Sequence, residues 1–96
     1  MEIRTLIDII QTDKRRGRGV VPLPVREARR ALVSHLSEQA FPTVAAASAA
    51  ANKLGVKWSK DPGEDAILAW AWTVDALHHA GRMGELIPAL PPRGGS

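Results

Sequence analysis

The chain has 96 residues, the length of one small domain with a single core. Apolar residues make up 45% and charged residues 24%, globular proportions that exclude wholesale disorder. The absence of cysteine excludes a disulfide scaffold, a cysteine zinc ribbon and a thiol nucleophile. The net charge of +3 is unevenly placed. Residues 1–30 hold eight basic against four acidic side chains, and residues 61–85 hold one against five. A basic front and an acidic back point to nucleic acid, an acidic partner or a second copy of the chain.

No targeting segment is expected. Glu2 is acidic, Asp8 interrupts the first apolar run, and no stretch approaches the length of a membrane span. A cytoplasmic protein with no membrane partner is the resulting expectation.

The first helix is expected over residues 2–16. Ile3, Leu6, Ile7 and Ile10 recur at the helical interval, with Ile9 off that stripe and partly exposed. Lys14-Arg15-Arg16-Gly17-Arg18-Gly19 then makes a basic loop over 14–19, because two glycines and four like charges end a helix. Pro24 suits the first turn of a second helix over about 24–40, striped by Val25, Ala28, Leu32, Leu36 and Ala40. Phe41-Pro42 stops it, since a residue before proline avoids the helical region.

Thr43 caps a third helix over 43–54, with Val44, Ala47, Ala51 and Leu54 inward and Gly55 as its stop. Asp61-Pro62-Gly63-Glu64 reads as a capping box that opens a fourth helix over 61–80. On it Ile67, Trp70, Ala71, Val74, Leu77 and His78 share one face, and Gly81 ends it. A short helix over 82–90 follows, limited by Pro88, and residues 91–96 read as a tail or linker. No useful run alternates with period two. The expected fold is an all-α compact bundle of about five helices.

Trp70 and Trp72 lie two positions apart and point to nearly opposite sides of their helix. Either the helix is central and covered on both sides, or Leu68 and Trp72 form an exposed apolar patch for a partner. Asp75, His78 and His79 do not make a metal site, for no second ligand cluster accompanies them, and favourable placement at a helix C-terminus explains both histidines. Ser34, Ser37, Ser48 and Ser59 lack a glycine-framed elbow, and no glycine-rich phosphate loop is present. No enzymatic activity, cofactor or metal is therefore expected. Lys14–Arg18 with Arg26, Arg29 and Arg30 could neutralise several phosphates, but no aromatics interleave with them. A small basic helical nucleic-acid-binding protein is the alternative function.

From about residue 23 to 91 the chain resembles the effector-associated domains of bacterial conflict systems, a bacterial death-like family. The resemblance runs in order through Glu27 to Leu36 with Phe41-Pro42, Val44 to Gly55, and Trp70 to Ala80 followed by Gly81-Arg82 and Leu86-Ile87. The first helix and the basic loop lie outside the pattern, and Pro88 interrupts a helix that usually runs on. The resemblance implies a death-fold-like adaptor that brings an effector to a sensor, like binding like. Charge asymmetry independently places Arg26, Arg29 and Arg30 on one patch. Asp61, Glu64, Asp65 and Asp75 lie on the other, with Leu68 and Trp72 as apolar area. Two copies, or a related helical domain, would then meet head to tail.

Overall fold

A computed structural model describes residues 2–13 and 21–91, apart from the side chains of Gln39 and Ala40. The expected basic loop over 14–19 and most of the tail lie outside these residues. Among the described residues there are five α-helices, a π-helical turn, a short 3-10 turn and no strand. They are α1 (Ile3–Thr12), α2 (Leu23–His35), α3 (Val44–Leu54), α4 (Ala66–Ala80) and α5 (Leu86–Ala89).

Leu6, Ile7 and Ile10 of α1 are buried, and Ile9 is half-buried, as the stripe predicts. Thr12 stays exposed and returns its hydroxyl to the Asp8 carbonyl at 2.7 Å. Pro24 sits in the first turn of α2, whose Val25, Ala28 and Leu32 enter the core together with Val33. The helical path then widens into a π-helical turn over Leu36–Ala40, closed by the Phe41 amide on the Leu36 carbonyl at 2.7 Å. Phe41 lies outside the helical region, φ −137° and ψ 79°, as expected of a residue before proline. The extra residue in that turn brings the Phe41 ring into the core against Trp70, with centroids 6.1 Å apart. The Phe41 carbonyl accepts from Trp70 Nε1 at 2.9 Å, so the one fully buried indole is satisfied.

Thr43 caps α3 through Oγ1, which accepts from the Ala46 amide at 3.2 Å. Small side chains let α3 approach α4 closely, and Ala47, Ala50, Ala51 and Leu54 are buried there. The entry to α4 differs from the capping box read in sequence. Asp61 Oδ1 accepts from the Gly63 amide at 2.9 Å and makes a turn, not a helix start. Gly63 holds φ +65°, outside the right-handed helical region, so the helix cannot begin before it. The cap is Asp65, whose Oδ1 accepts from the Leu68 amide at 3.1 Å.

The phase of α4 also differs from expectation. Trp70, Val74, Leu77 and His78 are buried as expected, with Ala69 and Thr73 beside them, whereas Ile67 is 53% exposed. After Gly81, a turn over Met83–Glu85 and α5 return the chain to α1 and α3, and Met83, Leu86 and Ala89 close the core. The pairs α1 with α2, α2 with α4 and α3 with α4 therefore surround one apolar centre.

Candidate functional site

The helices α2 and α4 run in opposite directions. Arg29 reaches Asp75 late on α4, while Phe41, which follows α2, meets the earlier Trp70. Between the two helices lies an open groove of about 430 Å³, lined by Arg29, Arg30, Val33, Ser34, Ile67 and Ala71. Its walls are mostly apolar, and one rim is basic.

The structure places the residues singled out in the sequence as follows. Arg26 and Arg30 are exposed on α2, and no described side chain forms an ion pair with either. Arg29 is half-buried and hydrogen-bonded to Asp75 through Nη2. Asp75 also takes His79 Nε2 at 3.3 Å, one helical turn on. Arg29 and Asp75, assigned by charge pattern to opposite sides of a head-to-tail contact, are thus partners within one chain. The reason is the antiparallel packing of α2 on α4, which a linear charge tally cannot see.

Asp61 and Asp65 are exposed but already serve the α4 entry, as turn and cap, leaving Glu64 as the exposed carboxylate without such a bond. Leu68 is exposed and Trp72 is half-buried, and neither lines the groove. The large exposed apolar side chain beside the groove is Ile67, which the helical pattern had put in the core. Contiguous exposed apolar area next to a depression is the usual mark of an interaction surface, whereas scattered apolar residues are not.

His78 does not rest at the surface as a C-terminal charge. Its side chain is 1% exposed, and Nε2 donates to Asp13 Oδ2 at 2.9 Å, tying the end of α1 to the end of α4. His78 and His79 rings lie 6.2 Å apart, but among the described residues no three His, Asp or Glu side chains gather as metal ligands. At the turn after α4, Arg82 and Glu85 form a two-pronged pair at 2.8 and 2.9 Å. The hydrogen bond from Arg82 holds the Glu85 carboxyl below the usual glutamate range, and the reciprocal bond raises Arg82. Both groups are solvent-facing.

No described helix is long and apolar enough to cross a membrane. No protein-family model matches the chain, and neither a curated protein nor a solved structure matches it. The surface chemistry of α2 and α4 therefore carries the functional reading.

Proposed function

We propose that this chain is a non-enzymatic, death-fold-like adaptor module that recruits an effector to a sensor in bacterial immune or conflict signalling, through homotypic or paired association of helical domains. The observation that carries the reading is the α2–α4 groove, with Ile67 53% exposed on its wall and Arg30, which no described side chain pairs, on its rim. The sequence resemblance over residues 23–91 supplies the biological setting. Interfaces draw most of their affinity from a few apolar or aromatic anchors, and rim charges set orientation and on-rate. Ile67 and Arg30 fit those two roles.

The test is light scattering across protein concentration and ionic strength, alone and with effector and sensor helical domains added. Association that weakens as salt rises and is lost in Ile67→Glu supports the reading. A wild type that binds neither itself nor any such domain removes it.

A further inference from the structure

We infer that the α2–α4 groove is the seat for a second copy of this chain, in a closed two-fold pair whose α4 helices lie antiparallel. The inference rests on the adaptor reading above and names the partner and symmetry of its surface.

Three observations lead to it. First, the face is self-complementary in shape. Ile67 is exposed on a groove that Val33 and the small Ala71 also line. A knob and its socket on one face are what a two-fold contact needs, because each copy must offer the same patch.

Second, the register fits. Ile67 and Ala71 are four residues apart on α4 and lie on one side of it. A two-fold axis passing level with Ala69 sets Ile67 of each copy over Ala71 of the other. Large against small allows the helix backbones to approach.

Third, the charges fall into line at that same register. The axis that pairs Ile67 with Ala71 brings the start of the second copy's α4, with Glu64 in the turn before its Asp65 cap, toward the end of α4 that carries Val74 and Asp75. Arg29 lies level with Asp75, through its ion pair, and Arg30 follows it on α2. Glu64 therefore arrives at the basic rim, where Arg29 is already paired with Asp75 and Arg30 pairs with no described side chain. The contact then carries two symmetry-related Glu64–Arg30 pairs flanking two Ile67–Ala71 contacts.

A head-to-tail chain of copies needs the two charges on separate faces. The pairing of Arg29 with Asp75 puts both signs on one face and favours closure at two copies.

Sedimentation velocity over a wide concentration range, on the full chain, reads the outcome. Wild type should pass reversibly from monomer to dimer and stop there. Ile67→Glu should weaken dimerisation at least tenfold, about 1.4 kcal/mol. Arg30→Glu and Glu64→Arg should each weaken self-pairing, and a mixture of the two should regain a heterodimer, since both contacts of the mixed pair again oppose unlike charges. All three positions are solvent-facing, and unchanged helical circular dichroism separates lost pairing from lost folding.

A strictly monomeric wild type, growth beyond two copies, or unimpaired dimers of Ile67→Glu would each overturn the two-fold contact. A monomer that still captures an effector or sensor helical domain overturns this pair and leaves the adaptor reading standing. A dimer that captures no such domain supports the pair and the homotypic form of the adaptor reading, whereas a monomer that captures none removes both.

Discussion

The indole Nε1 of Trp58 donates to Oγ1 of Thr73 at 3.0 Å, and that hydroxyl in turn donates to the Ala69 carbonyl at 2.9 Å. One threonine thereby holds the loop after α3 against the buried face of α4. Thr73→Val keeps the shape and removes both bonds, leaving the part-buried indole N–H without its acceptor. The expected loss is about 1–2 kcal/mol. In a double-mutant cycle with Trp58→Phe, the two changes should be less than additive. Strict additivity in chemical denaturation would show that the bond contributes nothing.

Trp70 and Trp72 should respond very differently to truncation. Trp70 is wholly buried, packs on Phe41 and donates to its carbonyl, so Trp70→Ala should cost about 3–5 kcal/mol. Trp72 is half-buried, and Trp72→Ala should cost clearly less. Thermal unfolding followed by far-ultraviolet circular dichroism ranks the two, and a larger loss at Trp72 would contradict the arrangement of α4.

The His78–Asp13 contact closes α1 onto α4. Asp13→Ala takes the carboxylate from a histidine that is almost fully enclosed. A loss of about 1–3 kcal/mol is expected. Hydrogen exchange should show faster opening of α1 than of α3, since α3 does not depend on this contact. Equal acceleration in both helices would argue against a local clasp.

Glu85 gives a pH dependence with a definite sign. Its carboxyl is held below its ordinary value by Arg82, so the folded state keeps the charge to lower pH than the unfolded chain does. The stabilisation is complete above the unfolded glutamate pKa, about 4.3, and fades as pH falls through the lower folded value. The difference in melting temperature between wild type and Glu85→Gln should therefore be largest near neutrality and shrink in acid. It should be small throughout, as expected of an exposed pair. A difference that grows on acidification would reverse the sign.

Gly81 ends α4 with φ +68°, and a Cβ added there would meet nothing within 4 Å. The cost of Gly81→Ala is then backbone strain alone, about 1–2 kcal/mol. A stability curve identical to wild type would mean that the helix end relaxes out of the left-handed conformation.

Local chemistry made several parts of this protein legible from sequence. The stripe on α1, the Thr43 cap, the Pro24 start and the glycine stops each depend on neighbours within a turn, and so they sit where the residues predict. The capping box at Asp61 misled because Asp61 and Asp65 both offer a capping carboxylate, and the positive φ of Gly63 selects the second. Periodicity read the phase of α4 only in part, placing Trp70, Val74, Leu77 and His78 inward but Ile67 with them. Apolar side chains occupy nearly every position from Ala66 to Leu77, so any face can be drawn as the buried one. Packing decided it. Thr73 faces inward with its hydroxyl bonded to both the Trp58 indole and the Ala69 carbonyl, and the Phe41 carbonyl, at the end of the π-helical turn, accepts from the Trp70 indole. In this phase Ile67 is exposed and lines the groove beside Arg29, which meets Asp75. Apolar spacing and the placement of charge along the chain determined a helical fold with two signs of charge. Only the antiparallel packing of α2 on α4 decided that both signs share one face, because contacts between residues 46 apart in sequence leave no trace in local periodicity.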